Sequence, residues 1–197
     1  MKKDASQLLE EMNLDHYLSL EDIPDIDLYM DQVIQLFEKK FAGSKRNDEE
    51  KILTKTMINN YAKGKLFFPI QNKRYTKEHL ILISLIYQLK SVLSISDIKD
   101  LLGPLNQKVF EDGLDLDQLY ETFLHMREKD AFGTKKSMQE NVEILDSMLK
   151  ESDAADKDDM HRLLLITSFA NISNFYKRAA EKLIDDMNET KEQDTSK

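Results

Sequence analysis

Five glycines and three prolines among 197 residues leave this chain almost no turn-forming material. Glycine supplies the positive φ of tight turns and proline fixes their corners, so a sequence poor in both is built from few, long elements. Apolar spacing selects helices for those elements. Ile26, Met30, Val33, Phe37 and Phe41 recur at intervals of four and three, which predicts a helix over 24–41 opened by Pro24 and carrying Asp22, Asp25 and Asp27 near its positive end. With 41% hydrophobic and 33% charged residues, the chain has the balance of a globular protein.

Capping signals divide the next segment. Thr54 reads as the N-cap of a helix of about ten residues, with Leu53 and Ile58 as its hydrophobic staple and Gly64 as its exit. Residues 65–75 suit a small β-ribbon with cations at its tip. Thr76 caps a helix over 77–93, apolar nearly all round and therefore expected at the centre of the core. Ser94 and Asp97 form a capping-box pattern opening a short helix that Gly103 and Pro104 should close. Three further helices are expected near 115–130, 136–151 and 157–188, the last two joined by a charged connector at Glu151–Asp159. In the last helix, Leu165, Phe169, Ile172, Tyr176, Ala179 and Leu183 form a 4-3-4-3-4 seam that suits an intramolecular core or a dimer interface equally well.

Charge is laid out unevenly. The chain carries −9 overall, yet residues 51–110 hold 10 bases and 3 acids, a net of +7 between flanks of −7 and −9. Between Lys51 and Lys77 there are seven bases and no acid. Either this block packs against the acidic flanks, or it focuses positive potential where a polyanion can dock.

Tyr61, Leu66, Pro69, Tyr75, Ile98, Leu101 and Leu102 stand at the spacing of the DNA-binding domain of MerR-type regulators, which the stretch 54–102 resembles. Taken whole, with its start at residues 23–30, the chain is similar to a bacterial family of MerR-like helical proteins classed as a domain of unknown function. Asn59 and Asn60 stand where those regulators carry an arginine, and a 24–41 helix with a long acidic loop replaces their short first helix and tight turn. The resemblance implies a mainly α fold, with a winged helix-turn-helix domain at 24–103 between an N-terminal extension at 1–23 and a helical region at 104–197 for dimerisation or effector binding. It also implies a transcriptional regulator that binds double-stranded DNA as a homodimer through its C-terminal helices. On that reading the 54–63 helix enters the major groove. Thr56, Asn59 and Asn60 read bases, because an Asn amide pairs with the adenine edge and a Thr methyl meets a thymine methyl. Lys55, Lys63 and Lys65, with Lys73 and Arg74 on a wing at 66–75, hold phosphates.

Other chemistries find little footing. The histidines (His16, His79, His125, His161) show no metal-binding spacing, and there is no phosphate-cradling glycine loop or nucleophile motif, so neither catalysis nor a cofactor or metal is expected. Without cysteine there is no disulfide or thiolate zinc site. No apolar run reaches the ~18 residues of a membrane span, and a cytoplasmic protein is the default expectation. No residue pattern names a small-molecule effector. The competing reading is a non-catalytic helical module that keeps the same scaffold but binds a protein.

Overall fold

The computed structural model describes residues 7–8, 11–12, 14, 16–150 and 157–195. The fold is mainly α. In chain order it runs β1 (Leu28–Tyr29), α1 (Met30–Phe41), α2 (Lys55–Lys63), β2 (Arg74–Tyr75), α3 (Lys77–Leu89), α4 (Ile95–Asp112), α5 (Asp117–Lys150) and α6 (Lys157–Thr195). The two strands form one antiparallel ladder, pairing Leu28 with Tyr75 and Tyr29 with Arg74. The chain resolves into two compact units: residues 16–124 with 180–197, and residues 1–15 with 125–179.

The larger unit is organised around α3. Eight consecutive residues, His79 to Ile86, are buried, so this helix is enclosed on every side. Val33, Phe37 and Phe41 of α1, Ile58 and Tyr61 of α2, Ile98 and Leu102 of α4, and Tyr120 of α5 belong to the same core. Polar ties reinforce it. The Tyr120 hydroxyl donates to the Leu18 carbonyl at 2.7 Å, which leaves Ser84 Oγ, 2.8 Å away, to donate to the Tyr120 oxygen. Lys90 Nζ donates to the Ile52 carbonyl at 3.0 Å and lies over the Tyr87 ring. That burial pulls the Lys90 ammonium below its ordinary pKa.

Several expected boundaries move, and the helix expected over 77–93 ends at Leu89. The first helix begins at Met30 rather than Pro24, because Leu28 and Tyr29 are drawn into the ladder with residues 74–75; Ile26, placed on the helix's buried face by spacing, is 68% exposed. The ribbon at 65–75 closes only at its tip, where Gln71 bridges Arg74, and its return strand pairs with β1 instead of with 66–70. Residues 95–112 form one helix straight through Gly103 and Pro104. Proline cannot donate to the carbonyl four residues back. That carbonyl, on Asp100, instead accepts from Lys191 Nζ at 3.1 Å, while Asn188 reaches the Asp100 carboxylate. The helix ends at Gly113, in the left-handed region at φ 65, with Leu114 N–H bonded to Lys108 O.

In the smaller unit, the later part of α5 and the first part of α6 run antiparallel. Val142 packs with Leu165, flanked by Met138, Leu145 and Phe169, and His161 Nε2 lies 2.8 Å from Asp146. The helices expected at 115–130 and 136–151 are one, because an internal glycine such as Gly133 weakens a helix by only ~1 kcal/mol relative to alanine. Of the expected seam, Leu165 is buried and Phe169 partly so, whereas Tyr176 stands exposed; Leu183, in the larger unit, is also exposed beside buried Ile184. Residues 151–156 of the expected connector lie outside the described residues. No described helix is long and apolar enough to cross a membrane.

Tyr120→Phe keeps the ring and deletes the hydroxyl that satisfies both Leu18 O and Ser84. Urea denaturation should show a loss of about 1–3 kcal/mol, the cost of stranding buried polar partners; an unchanged midpoint would refute that role.

Candidate nucleic-acid interface

Helix α2 has a divided surface. Thr54 caps it, its Oγ1 accepting from Met57 N–H at 3.1 Å, and Ile58 and Tyr61 are buried in the core. At 100° per residue, Lys55, Asn59, Lys63, Thr56 and Asn60 then fall on one continuous outward arc, and all five are exposed. No carboxylate belongs to α2, since its nine residues contain none. The structure thus gathers five of the eight residues singled out by sequence onto one helix face.

The exit from α2 departs from expectation. Gly64 keeps helical geometry (φ −72), and the residue that turns left-handed is Lys65, at φ 58. Gly64 is needed for space instead: a Cβ there would lie 2.7 Å from Leu66 Cδ1 and 3.1 Å from the Asn60 carbonyl. Leu66 and Phe67 then dive into the core, and the Leu66 carbonyl accepts from buried Asn106 at 2.8 Å. Lys65 is left exposed at the corner.

Lys73 and Arg74 sit at the second turn. Asn72 (φ 50) and Lys73 (φ 59) are the central residues of a two-residue hairpin turn closed by Arg74 N–H to Gln71 O at 2.9 Å, the primed geometry that Asn-Gly sequences favour. Arg74 lies over the Tyr29 ring, 5.0 Å from its centroid, and donates to the Tyr29 hydroxyl at 3.2 Å. Lys55 pairs with Asp31 at 2.8 Å, with both side chains about two-thirds exposed (65% and 67%). An ion pair that wet contributes little and is weakened by salt. Both cations are therefore anchored within two residues of each other on the segment Tyr29–Asp31, which connects the turn to the start of α2. Sequence reading missed Tyr29 and Asp31, since neither the strand pairing nor the ion pair leaves a local pattern. For Lys63, Lys65 and Lys73 no ion pair is present among the described residues.

Beneath this turn His79 acts as a knot. Thr76 N–H donates to its Nδ1 at 3.2 Å, so Nδ1 is unprotonated and Nε2–H faces the Phe68 carbonyl at 3.2 Å. Phe67, Phe68 and Tyr75 pack round the ring. Burial lowers the His79 pKa from its ordinary 6.5, the Phe68 carbonyl opposing only in part.

The chain is thus a mainly α-helical protein with a small two-stranded ladder and a polar, cation-rich edge. Its sequence matches the family described as Domain of unknown function (DUF1836) over residues 18–123, and the chain belongs to that family. The matched span nearly coincides with residues 16–124, the main stretch of the larger unit. No curated protein matches the sequence, and no solved structure matches it either.

The depressed His79 pKa has a determined sign. Below pH 6.5 the unfolded chain takes up a proton that the native ring resists, so His79's stabilisation is complete above 6.5 and is lost as the pH falls from there towards the lower folded value. Melting curves at pH 7.5 and 5.5 should show a drop in Tm that shrinks in His79→Gln. An equal drop in both proteins would remove His79 from the account.

Proposed function

We propose that this protein is a sequence-specific, DNA-binding transcriptional regulator with a MerR-like winged helix-turn-helix in its larger unit. Helix α2 enters the major groove and the 66–75 wing lies on the phosphate backbone. One observation carries the reading: α2 turns Lys55, Thr56, Asn59, Asn60 and Lys63 outward on a single face to which the helix itself contributes no acid. Asn59 and Asn60 pair with adenine edges and Thr56 meets a thymine methyl. Lys55, Lys63, Lys65, Lys73 and Arg74 neutralise phosphates; the wet Lys55–Asp31 pair yields readily to a phosphate oxygen.

Backbone conformation adds support. Lysine costs ~1–2 kcal/mol in the left-handed region, and Lys65 and Lys73 both occupy it. Glycine would fit either corner more easily, so a charge requirement explains why lysine stands there. Reading a duplex tightly takes two protomers, and the C-terminal helices would supply the contact: Phe132, Met148, Leu163, Ile166 and Phe175 of the smaller unit are large, apolar and exposed. The regulator has no catalytic role and works in the cytoplasm.

A second reading, a protein-binding module on the same scaffold, draws on Lys55 and Arg74, which already have partners in Asp31 and Tyr29. Fluorescence anisotropy with duplex DNA from upstream of the chain's own coding region separates the two. If five cations engage phosphates, log K falls against log salt with a slope of about −4.5 per protomer. Lys63→Ala should flatten that slope by about one unit on every sequence, whereas Asn59→Ala should cost about 1–3 kcal/mol on the preferred site only. Absence of binding at low salt would leave the protein-binding module standing.

Lys73→Gly supplies a sharper test, because stability and binding should move in opposite directions. Relief of the left-handed lysine raises stability by about 1 kcal/mol, while loss of the charge weakens DNA binding severalfold. A variant both more stable and equally tight would show that Lys73 does not touch the duplex.

A further inference from the structure

The larger unit contains an open cleft of about 580 Å³ between the wing, the first turn of α3 and the end of α4. One wall is apolar. Phe68 lies against the His79 ring at 4.0 Å between centroids and is followed outward by Phe110 at 6.1 Å. Phe110 is 57% exposed although it extends this aromatic row, and Leu114 beside it is also exposed. A phenylalanine left half in water at the mouth of a cleft offers a ring-sized apolar surface with nothing on it.

The polar wall is anionic. Asp27, Glu78 and Asp115 line the cleft against a single full positive charge, Arg74, whose guanidinium is turned onto Tyr29. For His79, the remaining titratable group there, burial disfavours the charged form and outweighs the Phe68 carbonyl, which favours it. Lys77, next in sequence to Glu78, is engaged by Asp117 at 2.5 Å. Helix α4 also ends on the cleft, at Val109–Gly113, with no base in its last turn, so its carbonyl end adds negative potential. The N-terminus of α3, which would favour an anion, already carries one in its first turn, the Glu78 carboxylate, which accepts from Thr76 Oγ1.

We propose that this cleft is a binding site for a small organic cation with an aromatic body, the ring lying on Phe68, Phe110 and Leu114 and the ammonium facing Asp27, Glu78 and Asp115. Such pockets pair an apolar wall with a few polar groups that set orientation, and a cation is further attracted by aromatic faces. The site does not depend on the DNA-binding reading. Gln71, Asn72 and Arg74 of the wing turn line the same cleft, so an occupant touches the turn that carries Lys73.

The test is a ¹H–¹⁵N NMR titration of the full chain, without DNA, with phenethylamine and, separately, phenylacetate, its anionic counterpart of like size. Phenethylamine should bind with Kd on the order of 1 mM, as expected for so few atoms, and shift the amides of Gln71, Asn72, Leu114 and Asp115. Phenylacetate should leave them in place. Phe110→Ala, at an exposed position and checked for an unchanged Tm, should weaken phenethylamine about tenfold through loss of the ring surface. Asp27→Asn should weaken it a few-fold. Equal binding of the two probes, no shift up to tens of millimolar phenethylamine, or unaltered affinity in Phe110→Ala would each overturn the proposal. Since DNA is absent, none of these results bears on the regulator reading.

Discussion

A helix enclosed on all sides obliges the rest of the unit to surround it, and α3 is such a helix. Its run from His79 to Ile86 offers no residue to solvent, so neighbours must come from every direction. They do: α1, α2, α4, the start of α5 and Ile184 of α6 all contribute to the same core. The two shortest of these neighbours, α1 and α2, would be marginal helices alone, and α2, at nine residues, would not hold in water. Its helicity is borrowed through Ile58 and Tyr61. Once those two are placed, nothing in the packing determines the opposite face, and the residues there (Lys55, Thr56, Asn59, Asn60, Lys63) are polar without exception. A face released from structural duty is where composition speaks of partners.

The turns tell a related story from the opposite side. At Lys65 and Lys73 the backbone adopts a conformation that glycine accepts freely and lysine resists. Strain of this kind persists only where the surroundings determine it. Around Lys65 they do so through Leu66 and Phe67, which are buried immediately afterwards, and through Asn106, which grips the Leu66 carbonyl. Around Lys73 they do so through the β1–β2 ladder on one side and the His79 knot on the other. The cations thus stand on corners fixed by the core, so their positions are defined even though their side chains are in water.

Local chemistry was readable from sequence and non-local chemistry was not. Thr54 and the Ser94–Asp97 pair cap their helices as expected, because a capping bond spans three residues and leaves its signature there. The burial of α3 is equally plain in a sequence that is apolar nearly all round. The start of α1 is not legible locally because Leu28 and Tyr29 answer to residues 74–75, a pairing with no local trace. Pro104 reads locally as a stop because the rescue of the Asp100 carbonyl comes from Lys191, ninety-one residues later in the chain. For the candidate interface, exposure of the α2 arc followed from helical periodicity. That Lys55 and Arg74 meet at Tyr29–Asp31 depends on tertiary contacts alone.

Those contacts give the segment 68–79 a role that its length does not suggest. Arg74 is paired across the ladder with Tyr29, stacks on its ring and borders the cleft. His79 joins the Phe68 carbonyl to the first turn of α3 and lines the same cleft. Asn72, with its left-handed backbone, is both the tip of the turn and part of the cleft wall. A molecule in the cleft therefore meets the turn through the residues that set its shape. Its affinity must depend on that shape, and by linkage the shape must respond to its presence. The one unit then holds, a few residues apart, a charged corner facing outward and a recess behind it, joined by Arg74 and His79. Such an arrangement needs no long-range relay, because the element that would be regulated is itself a wall of the site.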